Sequence, residues 1–190
     1  MLFRSKLNRT EAYTGQVVSD TLPPPAWSFG DDPATADRLL DLVLTGRKTA
    51  TASALRDYED EARRTDPGDD DQVGDGDHGG DVGVLTARDL DLALPQPGLL
   101  SILLDGAGWP RALIRTTDVR VVRFADVGEE HARLEGEGSG DLSHWRRAHR
   151  EFFARSSGAP VDDDTMVVLE RFEVLVPAQA RRAARRRLSG

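Results

Sequence analysis

The chain has 190 residues and a mass of 20.8 kDa, comfortable for one domain and tight for two. Hydrophobic residues make up 38%, and 18 Gly bring the apolar share to that of an ordinary globular core, while no window holds the roughly 18 consecutive apolar residues of a membrane span. The absence of Cys excludes a disulfide scaffold, a zinc ribbon, a thiol nucleophile and an iron–sulfur centre, and Met1–Thr10 carries no secretory pattern, so a soluble cytoplasmic protein is expected.

The formal charge of −8 is unevenly placed. Asp57 to Asp91 holds 13 acidic residues against Arg63, Arg64 and Arg88, a net of −10, which leaves the remainder slightly positive. The acidic balance therefore does not exclude an RNA or nucleotide partner.

Residues 1–26 lack sustained periodicity and end in Pro23-Pro24-Pro25, which reads as an extension with a stiff linker. A helix follows: Asp32 caps it, Pro33 takes its first position, and Gly46 ends it. Ala36, Leu39, Leu40, Val43 and Leu44 lie on one face of that helix. The acidic Gly- and Asp-rich stretch at about residues 57–91 reads as an insertion, with Asp66–Gly80 expected to be disordered or a mobile loop. Its Asp-Gly repetition lacks the ordered spacing of a calcium loop. Leu99–Leu104 and Arg111–Phe124 are strand-like runs around a hairpin turn at Asp105-Gly106-Ala107-Gly108. Asp126, three residues before Glu129, is expected to cap a helix that ends near Gly136. Asp141 starts another, with Leu142, Trp145, His149, Phe152 and Phe153 on one stripe. Thr165–Val176 is the last strand. Residues 177–190 form a basic tail with five Arg between Arg181 and Arg187, either a solvated end or a stretch that holds phosphates. This order argues for a single α+β domain over residues 27–176.

Three segments could carry chemistry. In Gly46-Arg47-Lys48-Thr49-Ala50-Thr51-Ala52-Ser53, Lys48 stands out because only two of the 25 basic residues are Lys, and the other is Lys6. Either this is chance in an Arg-rich composition, or the position needs a compact amine able to lose its proton, which Arg cannot do. Thr49, Thr51 and Ser53 alternate, so on a flat strand they share one face and Lys48 takes the other, and Lys48 meets Thr51 only if the chain bends. Hydroxyls beside a Lys suit an oxyanion, phosphate or sugar; they are also ordinary strand residues. In the second segment, Glu135 and Glu137 flank a natural helix-ending Gly136. A carboxylate there is disfavoured by the helix dipole, and a salt bridge to a Lys would compensate it. His131 reads first as a packed or exposed histidine. In the third, Trp145 and His149 read first as core, while Arg146, Arg147 and Arg150 face away and could attract phosphates. Four scattered His and no Cys make a metal site unexpected, and no cofactor is implied. Phosphate-loop, dinucleotide-binding and nucleophile-elbow motifs are all missing.

Taken in order, Trp27-Ser28-Phe29-Gly30-Asp31, Leu42-Val43-Leu44-Thr45-Gly46-Arg47-Lys48-Thr49-Ala50-Thr51, Phe124-Ala125-Asp126-Val127, Glu135-Gly136-Glu137-Gly138, Trp145-Arg146-Arg147-Ala148-His149 and Val168–Val174 resemble the ASCH domain family, in its longer bacterial form. The resemblance implies a PUA-like mixed β-barrel with flanking helices and a cleft suited to RNA or a modified nucleoside. Members of the family include amidohydrolases of N4-acetylcytidine, ribonucleases and RNA-binding domains. In the amidohydrolase type the working set is a Lys, a Thr three residues later and a Glu from a helix end, which fall here on Lys48, Thr51 and Glu135. The Arg two residues after that Thr is replaced by Ser53, which lacks its ability to hold a carbonyl or phosphate. Trp27, Thr49, Ser53, Trp145 and Arg146 are then candidates for substrate binding, with core packing the competing role for both Trp.

A desolvated Lys48 could act as base toward Thr51 or a water, with Glu135 orienting the amine and passing a proton to the leaving nitrogen. A close Glu opposes this by favouring the charged Lys. Hydrolysis of an N4-acylcytidine-type amide is the leading expectation. Non-catalytic RNA or nucleotide binding and ribonuclease action are the alternatives from the same cleft.

Overall fold

The first helix forms where its signals lie. In a computed structural model that describes residues 23–65 and 93–188, α1 (Pro33–Leu44) starts at Asp32, whose carboxylate accepts from the Thr35 amide at 2.9 Å, and ends at Thr45. Its buried face is Ala36, Leu39, Leu40 and Val43, and each large side chain contributes about 1.5–3 kcal/mol through burial.

The other elements follow in the order β1 (Ala26–Trp27), α1, β2 (Ala50–Ala54), α2 (Leu55–Thr65), β3 (Leu100–Leu104), β4 (Pro110–Arg123), a 3-10 turn (Phe124–Asp126), α3 (Glu129–Glu135), α4 (Leu142–Ser157), β5 (Met166–Val176) and α5 (Ala178–Leu188). The strands form one mixed sheet in the order β1-β3-β4-β5-β2, parallel only between β1 and β3. This is the α+β, PUA-like architecture. Bulges in the β4–β5 pairing between Leu113/Ile114 and Thr116/Asp118 bend the long fourth strand, which lets a five-stranded sheet curl around its core. That core joins Trp27, Phe29, α1, the inner sheet residues and the Phe124, Trp145, Phe152 and Phe153 side chains of the helical layer.

Asp105 builds the hairpin turn as expected: its carboxylate accepts from the Ala107 and Trp109 amides at 3.0 and 2.9 Å. Four local readings differ from the observed chain. Asp126 does not cap α3, because its carboxylate is taken by the Arg123 guanidinium at 2.8 and 3.1 Å. Phe124 and Ala125 donate to the Thr165 and Asp163 carbonyls, so the segment is pinned as a 3-10 turn and Gly128 takes the cap position. Ala26, assigned to the extension, pairs with Ile102 in the sheet. Residues 57–65 of the acidic stretch lie within α2, which buries Tyr58 and Ala62 one turn apart; Asp66–Gly80 lies outside the described residues. Finally, residues 178–188 are a packed helix rather than a tail. Ala180 and Ala184 are buried, and Gly46 meets α5 so closely that a Cβ there would lie 2.3 Å from the Ala184 nitrogen. The Arg residues fall on the remaining, exposed face, an amphipathic split that a charge count along the sequence hides.

None of the described helices is long and apolar enough to cross a membrane.

Candidate functional site

The loop between α1 and β2 is held at both edges. Arg47 and Lys48 donate their amides to the Leu42 carbonyl at 2.7 and 3.0 Å, and Thr49 donates to the Leu134 carbonyl at 2.8 Å while accepting from Phe172. Opposite, α3 ends at Gly136 with φ +66°, and a Cβ there would sit 2.4 Å from the Arg47 carbonyl oxygen. Only glycine allows both the left-handed turn and this close approach. The consequence is that Lys48 enters the core beside the end of α3.

There the Lys48 Nζ lies 2.8 Å from Glu135 Oε2 and 2.8 Å from Glu137 Oε1. Lys48 and Glu135 are fully buried, and Glu137 keeps 13% of its side chain exposed. The second oxygen of Glu135 is also occupied. It accepts from Trp145 Nε1 at 2.7 Å, meets His131 Nε2 at 3.1 Å, and lies 3.5 Å from His149 Nε2. These donors come from two helices, His131 from one turn earlier on α3 and Trp145 and His149 from successive turns of α4. Trp145 and His149 stack at 4.1 Å, and the Phe29 ring lies 5.5 Å from Nζ with Trp27 set edge-on to it at 4.9 Å.

Burial pushes the Lys48 ammonium toward neutrality, but Glu135 and Glu137 outweigh it and its pKa is raised. Burial acts to raise Glu135, yet the Lys48 charge, then His149 and the histidine hydrogen bonds, hold it well below the usual carboxylate range. For Glu137 burial is again opposed by Lys48, which brings it down to about 2. The resting cluster is thus an ammonium between two carboxylates. The closeness of the Glu decides the proton on Lys48, and burial does not.

Thr51 lies on β2, three residues on, with its hydroxyl buried and without a hydrogen-bond partner among the described residues. It stands directly across from Glu170 of β5, so the two side chains share a sheet face, and Glu170 accepts from the Thr116 hydroxyl at 2.6 Å. Ser53, half-buried, is on that face opposite Val168, and Thr49 is buried where the loop enters the sheet. The chain therefore brings Lys48 and Trp145 each into contact with Glu135, on its two oxygens, with Trp27 reaching Lys48 only through the Phe29 ring. Arg146 points elsewhere: its guanidinium donates to the Ala125 carbonyl at 2.8 Å and anchors the 3-10 turn.

Glu137, His131 and His149 lay within the candidate segments but were not assigned to the site, and Phe29 and Glu170 were not considered for it. Two signals existed, the four-residue spacings His131–Glu135 and Trp145–His149, but those spacings equally describe neighbours on any helix. Among the described residues no group of three His, Asp or Glu is placed to hold a metal ion. A groove of about 270 Å³ between α1 and the β3–β4 turn is lined by Asp37, Leu40, Asp41, Asp105 and Arg111, and no residue of the buried cluster borders it.

The model of the ASCH domain family matches residues 25–92 and 70–176. An ASCH domain of Lactobacillus crispatus JV V101 has a similar structure, with a TM-score of 0.58 and 29% identity over 78% of this chain and 77% of that one. A protein of Enterococcus faecalis V583, carrying the DUF984 family model, is 32% identical with a TM-score of 0.59, over 82% of this chain and 78% of its own. No curated protein matches in sequence. With matched segments that extend from β1 to the end of β5 and take in Lys48, Thr51 and Glu135, the chain belongs to the ASCH domain family.

Proposed function

We propose that this cluster is the catalytic centre of a cytoplasmic amidohydrolase that removes an acyl group from the exocyclic amine of an N4-acylcytidine-type nucleoside. The observation that supports it most is a fully buried ammonium bridged by two carboxylates, three residues before a buried Thr hydroxyl with no hydrogen-bond partner among the described residues. Such a cluster has no evident structural value, since well-packed apolar residues of the same volume serve a core as well or better.

In this reading Thr51 Oγ forms a bond to the acyl carbon and its proton passes to the carboxylates around Lys48. The Lys48 ammonium stabilises the developing oxyanion, an effect worth about 2.7–4 kcal/mol for a single well-placed donor. Collapse breaks the C–N bond, the amine nitrogen takes up a proton and leaves as cytidine, and water then hydrolyses the Thr51 ester to free acid. Lys48 works here as a cation, because its carboxylate neighbours hold its proton too tightly for it to serve as the resting base. Trp27, Trp145, Thr49 and Ser53 are the candidates for holding the base in this reading, and Arg146, which donates to the Ala125 carbonyl, supports the 3-10 turn.

The test is chromatographic. Purified protein is incubated with a panel of N4-acylated cytidines beside Lys48→Met, whose folding is checked by circular dichroism. Wild type should release cytidine, and Lys48→Met, which removes the cation, should be slower by about 100-fold or more. A folded wild type that releases none rejects the substrate class, and RNA binding with a steep salt dependence then becomes the reading to pursue.

A further inference from the structure

The last strand places a carboxylate in the buried part of the sheet. Glu170 of β5 is buried, and the register sets it directly across from Thr51 of β2, on the same sheet face. Taking a carboxylate out of water is costly even where it is paired, and an apolar β-branched side chain would fill a sheet position as well. The chain nonetheless builds a holder for it. The β4–β5 pairing bulges between Thr116 and Asp118, and the buried Thr116 hydroxyl donates to Glu170 Oε1 at 2.6 Å. A bulge re-aims the side chains beside it, and here the bond fixes the carboxylate on the face that carries Thr51. A carboxylate accepts at about four positions, so the Thr116 bond does not exhaust it.

Directly opposed residues of an antiparallel pair have Cβ atoms about 4.5–5.5 Å apart. Thr51 Oγ nevertheless makes no hydrogen bond among the described residues, so Glu170 is its neighbour and not its partner. That geometry does not suit direct removal of the Thr51 proton, a task the Lys48 cluster takes in the hydrolase reading. It suits the second half of the reaction. Once Thr51 carries an acyl group, a water attacking the acyl carbon from the β5 side meets the Glu170 carboxylate.

We propose that Glu170 is the catalytic residue of deacylation, the general base toward the water that attacks the Thr51 ester, with Thr116 as the positioning residue that holds it. The water oxygen bonds to the acyl carbon as one water proton passes to Glu170. The bond from the acyl carbon to Thr51 Oγ then breaks, Oγ takes that proton back from Glu170, and the free acid leaves. This rests on the hydrolase reading and deepens it: Glu135 and Glu137 with Lys48 serve acylation, and Glu170 serves deacylation.

The test uses the full chain and N4-acetylcytidine. Cytidine release is followed from the first turnover, and the intact protein is weighed by mass spectrometry during the reaction. Glu170→Gln should release about one cytidine per chain in a burst, retain an acetyl group on the peptide holding Thr51, and then turn over at least about 100-fold more slowly than wild type. A merely structural role would slow the burst together with the steady state and leave no acetylated chain. Thr116→Val keeps the carboxylate and nearly the same volume, and it carries the test if Glu170→Gln does not fold. It should accumulate the same acetylated chain with a smaller loss of turnover. Wild-type turnover without acetylated protein in either folded variant, or loss of burst and steady state together in Glu170→Gln, overturns the proposal. A folded wild type that releases no cytidine removes the hydrolase reading and this proposal with it.

Discussion

Replacing Lys48 by Met retains most of the side-chain volume and deletes the charge, so the cost isolates what the ammonium does for the core. Glu135 loses its 2.8 Å partner and stays fully buried. Removing one member of a buried pair costs about 3–5 kcal/mol. Trp145 and His131 continue to donate to the other Glu135 oxygen, which places the loss near the lower bound, about 3 kcal/mol. For a domain of this size that lowers Tm by about 6–12 °C. The second arm adds Glu135→Gln. The amide still accepts from Trp145 Nε1 and no longer leaves a charge unpaired, so the double variant should recover about half of the loss. Urea unfolding at neutral pH reads both. A loss in Lys48→Met below about 1 kcal/mol, or a double variant no better than the single, would refute the buried ion-pair account.

Gly136→Ala should destabilise by about 2 kcal/mol or more in the same assay, because φ is +66° and the new Cβ would meet the Arg47 carbonyl oxygen at 2.4 Å. Stability should also fall in acid. Glu135 and Glu137 are held below their ordinary 4.5, so their contribution is complete above about pH 4.5 and is lost as the pH falls, toward about 2 for Glu137. Urea midpoints from neutral pH downward should decline less steeply in Glu137→Gln than in wild type. Lys48 has the opposite sign: with a raised pKa its contribution is present below 10.5 and is lost only as the solution becomes more alkaline.

The elements that could be read from the sequence were those whose signals are local. Asp32-Pro33 and Asp141 start helices because a short carboxylate satisfies amides in its own first turn, and Gly136 ends α3 through a left-handed turn. The pairing of Lys48 with Glu135 was partly legible, since a lone Lys and a carboxylate at a helix end each lacked a local explanation. Asp126 misled because its competitor, Arg123, sits just upstream at the end of a strand, and no spacing rule says which partner an Asp takes. The two-residue β1 is too short for any periodicity and exists only through its parallel partner β3. Glu170 reads as one charge in an alternating strand. What makes it part of a polar patch is the register that sets it opposite Thr51, a long-range fact fixed by folding.

The most direct measurement is the release of cytidine from N4-acetylcytidine by wild type and Thr51→Val, side by side. Because the Thr51 hydroxyl has no hydrogen-bond partner among the described residues, its loss should change stability by less than about 1 kcal/mol, so the two proteins are compared as equally folded. Cytidine released by wild type and none by Thr51→Val is the predicted result. Equal release by both would contradict Thr51 as nucleophile, and no release by either would contradict the hydrolase itself.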